Sequence, residues 1–127
     1  MKLIKKMIVS SLVASAILMS STNVFAAKDD AKVAKALVDT IAKLEETISL
    51  VEANGDNEAV RQGLSDAKQF QKEFRYEQTE RKRQYAAEHI KNALAANKDK
   101  DNATTLNELK AALAGFKEMK PIYEAAH

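Results

Sequence analysis

Imidazole and thiol groups are scarce here, and that scarcity bounds the chemistry. The sequence has two histidines, His89 and His127, and no cysteine. Glu88 adjoins His89, and Tyr85, His89 and Asn92 are spaced four and three residues apart, so the three share a helix face. Imidazole nitrogen and carboxylate oxygen are the donors that divalent transition metals accept when thiolate is missing. His89, Glu88 and His127 are therefore the candidate metal ligands, with carboxylates of the fourth helix as further neighbours of His89, and a divalent metal ion is the cofactor they would hold. The competing reading makes His89 a boundary residue with a single hydrogen bond, since it flanks the apolar stripe of Ala86, Ile90 and Ala93.

Other constellations fall short of a site. A di-iron bundle takes Glu-x-x-His from two helices. Ala86 stands three residues before His89, which leaves Glu124 and His127 as a lone pair of that spacing. Asp99-Lys100-Asp101 opens like a calcium loop, but Thr104 occupies the glycine position and Lys110 the closing glutamate position. That run reads as a solvated turn. Arg81-Lys82-Arg83, with Arg75 and Tyr76 nearby, could meet phosphate or an anionic membrane surface. Glu77 and Glu80 interrupt it, and Glu77 with Arg81 makes an i, i+4 pair, so a charged surface helix is expected there. Ser49 and Ser65 sit in helical sequence without the strand-turn-helix setting of a nucleophile. The chain is not expected to be an enzyme.

The N-terminus reads as an export signal. Lys2, Lys5 and Lys6 precede an uncharged apolar run from Met7 to Met19, and Val24-Phe25-Ala26 places small or medium residues before a cleavage site. The run is shorter than the roughly 20 residues that cross a bilayer as a helix. Residues 1–26 are expected to be a cleaved signal peptide and residues 27–127 one domain, periplasmic or secreted, with no transmembrane span. Cleavage removes three of the 20 basic residues, leaving 17 against 18 acids. A near-neutral balance gives nucleic acid no general attraction, so no nucleic-acid partner is expected. Without cysteine, stability in an oxidising compartment must come from packed helices.

Those helices are legible. Ala34, Leu37, Ile41, Leu44, Ile48 and Val51 are spaced 3, 4, 3, 4, 3, an apolar stripe that Asn54-Gly55 ends. A second helix begins near Asn57, the expected N-cap, and lines up Val60, Leu64, Ala67, Phe70 and Phe74. A third carries Ala86, Ile90, Ala93 and Leu94 and stops in the polar run from Asn97 to Asn102. A fourth presents Leu106, Leu109, Leu113, Phe116, Met119 and Tyr123, with a kink or end at Pro121. The joint between the second and third helices holds neither glycine nor proline, and eight of the twelve residues from Lys72 to Arg83 are charged. A break near 76–79 places Arg81, Lys82 and Arg83 at the positive end of a helix dipole, at about 0.3–1 kcal/mol each. Leaving two hairpins without a shared core forfeits more, because each buried apolar side chain contributes roughly 1.5–3 kcal/mol. The expected architecture is an all-α, up-down-up-down four-helix bundle of two αα-hairpins, as monomer or homodimer. A long central helix in a swapped dimer is the alternative.

Residues 41–74, with Leu44-Glu45-Glu46-Thr47-Ile48 before Asn54-Gly55-Asp56, resemble the hairpins of the small metal-binding protein family. That resemblance implies scavenging of divalent metals through histidines on the bundle faces, most of which are absent here. Residues 113–127 are similar in outline to the last helix of the soluble periplasmic b-type cytochromes. Haem ligation of that kind implies a methionine on the first helix and a histidine on the fourth; the first helix has no methionine, and the histidine would be His127. Three functions follow as expectations: a binding module for a metal ion or small ligand, an interaction or chaperone protein of the cell envelope, and a haem electron carrier.

Overall fold

The computed structural model describes residues 27–127. The chain divides into two units, Met1–Ala31 and Lys32–His127. The expected signal peptide lies outside the described residues, so the first unit contributes here only the opening turn of a helix. The described residues form four helices and no strand: α1 (Ala27–Glu52), α2 (Asn57–Lys72), α3 (Glu80–Lys98) and α4 (Asn102–Ala125), with a short 3-10 turn, Glu77–Thr79, ahead of α3.

Polar bridges between helices trace the arrangement within the second unit. Lys32 meets Glu73 at 3.0 Å and Lys43 meets Asp66 at 4.0 Å, pairing α1 with α2 and the residue that ends it. Arg83 donates to Gln71, and Asn97 Nδ2 donates to the Asn57 carbonyl at 3.1 Å, pairing α2 with α3. Lys82 to Glu118 (3.0 Å) and His89 to Glu108 (2.7 Å) join α3 to α4. Lys117 to Glu45 (3.1 Å) and Lys110 to Glu52 (3.7 Å) join α4 back to α1. In every pair of bridges, later residues of one helix meet earlier residues of the next, so each neighbour is antiparallel and the ring closes. This is the up-down-up-down four-helix bundle. Half of these bridges are exposed and add little stability; what they report is register.

The core stripe of α1 is rotated slightly from its apolar reading. Leu37, Thr40, Leu44, Thr47 and Val51 are buried, whereas Ala34 and Ile41 are half-buried at the edge. The two threonine hydroxyls donate to the carbonyls of Ala36 and Lys43, each at 2.7 Å, so neither polar group is buried unpaired. The rotation follows from Gly63. A Cβ at that position would stand 2.2 Å from Thr47 Oγ1, so α2 approaches α1 as closely as a glycine permits and presses on the threonine side of the stripe.

Both hairpin turns use one device. Asn54 (φ 56°) and Lys100 (φ 59°) adopt the left-handed conformation that ends a helix. The N–H groups after them return to Leu50 O at 2.7 Å and Ala96 O at 2.9 Å. The following helix is then capped by an aspartate, Asp56 accepting from the Ala59 N–H and Asp101 from the Thr104 N–H. Asn57, expected as the cap of the second helix, is instead its first residue. The Asp99–Asp101 run is an exposed turn.

The chain reverses between α2 and α3, and Phe74 lies beyond the end of α2, where it is fully buried. Phe70 on α2 is only half-buried, and Gln71 takes the core position. Pro121 does not end α4, which continues to Ala125. Proline removes one helical hydrogen bond, to the carbonyl four residues back, but Met119 and Tyr123 on either side are buried and hold the helix to the core.

Two stability measurements check these local arguments. Gly63→Ala is expected to cost about 1–3 kcal/mol in chemical denaturation, the range for overpacking. Adding Thr47→Ala should restore part of that loss, a non-additive result expected only of groups in contact. Lys100→Gly is expected to raise stability by roughly 0.5–1 kcal/mol, because glycine adopts positive φ without the Cβ penalty.

Candidate functional site

His89 on α3 is half-buried. Its Nδ1 lies 2.7 Å from Glu108 Oε1 on α4, and Asn92 Nδ2 donates to the same oxygen at 3.4 Å. Tyr85 stands edge-on to the imidazole, ring centroids 5.1 Å apart, and is 72 % exposed. The hydrogen bond from His89 holds the Glu108 carboxyl below its ordinary pKa, against the opposing effect of partial burial. Bonding Nδ1–H to a carboxylate fixes the ring and leaves Nε2 as the atom able to take a proton or a metal.

The expected metal ligands are not gathered around it. Glu88 is exposed on α3 and Glu108 takes its place beside His89. His127 lies at the end of α4, nineteen residues beyond Glu108, about 28 Å away at the helical rise per residue. There its Nδ1 meets Tyr123 O at 2.8 Å and its ring stacks on Tyr123 at 4.0 Å, with Tyr76 edge-on at 5.1 Å. Helical spacing explains the separation: nothing in the fold brings the last turn of α4 back to the middle of α3. Among the described residues no group of three or more His, Asp or Glu side chains is placed to hold one metal ion.

The edge between α2 and α3 holds what the sequence reading missed. Arg83 is buried, its Nε donating to Glu80 Oε1 at 3.2 Å and its Nη1 to Gln71. Glu80 also receives Arg75 at 3.3 Å. The basic cluster is thus divided: Arg81 and Lys82 face solvent, while Arg83 turns inward as a strut. Toward the other end of the same edge lies a groove of about 490 Å³, lined by Arg61, Ser65 and Lys68 of α2 and by Leu94, Ala95, Asn97 and Lys98 of α3. Asn97 is only 5 % exposed. Its Nδ2 is fixed on the Asn57 carbonyl, and its Oδ1 is buried with no hydrogen-bond partner. A periodic signal for these residues existed. Thr79, Arg83, Ala86, Ile90, Ala93 and Asn97 are spaced 4, 3, 4, 3, 4 and all are buried, as are Val60, Leu64, Ala67, Gln71 and Phe74 at 4, 3, 4, 3.

Compared with known proteins, the chain matches no family model, no curated protein and no solved structure.

The Glu80–Arg83 pair sets a pH test. The hydrogen bond from Arg83 lowers the Glu80 pKa from 4.5, opposed by burial and assisted by the charges of Arg83 and Arg75. A lowered folded-state pKa means stability that is fully present above the unfolded value and is lost as pH falls through the folded value. Glu80→Gln is expected to cost about 1–2 kcal/mol at neutral pH, the scale of a hydrogen bond to a charged group. The gap to the unmodified protein should narrow below pH 4.5; a gap constant from pH 7 downward in urea denaturation would contradict the pairing.

Proposed function

We propose that this chain is exported, loses residues 1–26, and works without catalysis as a module that binds a small ligand in the α2–α3 groove. One observation carries the reading: Asn97, almost fully buried and lining the groove, has a carbonyl oxygen with no partner. Buried acceptors in folded proteins are nearly always paired, and an unpaired one costs roughly 1–3 kcal/mol. A ligand donor or an ordered water would relieve that cost. The groove's volume falls within the range of small-molecule sites, and its lining combines apolar carbon with a few polar groups. The basic start, apolar run and small residues before Ala27 support export. Binding a small ligand is favoured over binding a metal ion because His89 has one carboxylate beside it, and the remaining expected ligands lie elsewhere.

The test is a thermal-shift screen of a small-molecule collection on protein recovered from its exported fraction, whose intact mass should begin at Ala27. Compounds are expected to raise the Tm of the native protein but not of Ser65→Trp, a variant that fills the groove while keeping its helical circular dichroism. A ligand that binds only the folded form must raise Tm by mass action. Hits that stabilise both proteins equally, or none at all, would remove the groove as the site.

A further inference from the structure

We infer that the groove takes an amphiphilic organic acid: a short apolar body bearing a carboxylate, with a hydrogen-bond donor beside the acid group. This deepens the proposed function and rests on it. Arg61, Lys68 and Lys98 stand around the groove, and no acidic residue lines it. Arg61 is engaged by Glu58 one turn earlier on α2, but Lys68 and Lys98 make no ion pair among the described residues. Two unpaired ammonium groups on facing helices favour an anion between them. Among the other described lysines, Lys32, Lys35, Lys43, Lys82, Lys110, Lys117 and Lys120 are each bridged to a carboxylate.

The groove's interior is largely carbon. Leu94 and Ala95 present carbon there, and the lysine stems extend that apolar surface while keeping their charged heads in water. A small inorganic anion would use the rim and leave this surface wet. An apolar tail covers it. Asn97 adds an amide to the lining. Its amide cannot turn over to offer a donor, because Nδ2 is already given to the Asn57 carbonyl. Oδ1 is enclosed and unpartnered in a residue that lines the groove, and it would accept an N–H or O–H that reached it, such as the one an N-acyl amino acid carries next to its carboxylate. A nucleic acid strand does not fit this arrangement, since an aromatic platform for stacking bases is missing from the lining residues.

The experiment is calorimetric titration of the folded protein with N-octanoylglycine, set beside octanoate, octyltrimethylammonium and inorganic phosphate. N-octanoylglycine is expected to bind with a Kd at least tenfold lower than phosphate, and octyltrimethylammonium to give no saturable heat. Octanoate, which lacks the N–H, should bind severalfold more weakly than N-octanoylglycine. Lys68→Glu with Lys98→Glu should lower the affinity at least tenfold, and the milder Lys68→Gln with Lys98→Gln by a smaller factor, both with unchanged helical circular dichroism. Equal binding of the cationic amphiphile, or no effect of charge reversal, overturns the acid. Equal binding of phosphate overturns the apolar body. If N-octanoylglycine gives no heat, the organic acid is wrong; hits that are blocked by Ser65→Trp in the thermal-shift screen would then leave the groove standing as a site for another ligand class.

Discussion

Phe74 is where the four helices become one structure. Its ring, with no exposed surface, packs edge-on against Tyr123 at 5.6 Å, and Tyr76 packs edge-on against the same tyrosine at 5.3 Å. The chain reverses around this cluster, between Lys72 and Glu80, without a glycine or a proline. A turn built from bulky residues is fixed by what those residues bury rather than by the backbone freedom of a small residue. If Phe74 stayed in water, α2 would have no reason to stop at Lys72, and the charged residues that follow would favour a continuous helix. The apolar stripes of the two hairpins would then lose their common core, and with it most of the buried area that makes short helices stable.

The reversal also explains why polar residues occupy core positions near it. Gln71 and Arg83 lie at the end of one stripe and the start of the next, and the guanidinium spans the gap between them. Breaking such a pair leaves an uncompensated buried group, which is far costlier than the pair is stabilising. Its value is therefore geometric. A register slip of α3 against α2 would separate the arginine from Gln71, and at the far end would separate Asn97 from the Asn57 carbonyl. The two bonds hold one register where apolar packing alone would tolerate several. Arg83 also answers the dipole objection to starting a helix with three cations, because Glu80, in the first turn, neutralises it.

How far the sequence could be read followed from which rule was applied. Hydrophobic periodicity located all four helices and both hairpin turns, and the area argument chose the fold-back over a long central helix. Treating polarity as a sign of exposure hid Thr40, Thr47, Gln71, Arg83 and Asn97, although each lies in step with its stripe. Spacing was the stronger guide, since a side chain's direction is set by the helix and not by its chemistry. The histidine site was legible only in part: His89 was placed at a core edge with a carboxylate of the fourth helix expected near it, but Glu108 was not singled out, because the pairing of α3 with α4 depends on a register that no local pattern in either helix contains. Pro121 shows the same limit. Its local preference for ending a helix was outweighed by the burial of Met119 and Tyr123, which only the assembled core supplies.

The location of the groove is a consequence of how the edges are closed. Gly63 lets α2 sit against Thr47 of α1, and Gly115 lets α4 approach Ala86 of α3, where a Cβ would meet the alanine methyl at 3.0 Å. Small residues make those contacts tight. No glycine closes the edge between α2 and α3, and α3 packs more extensively on α4 than on α2. That edge is instead spanned near its ends by longer side chains, Gln71 with Arg83 and Asn97 with Asn57. Helices held by side-chain reach rather than by backbone approach leave unfilled volume between them. The struts that fix the register thus border the groove, where Lys68 and Lys98, without carboxylate partners among the described residues, and the buried Asn97 line a common space.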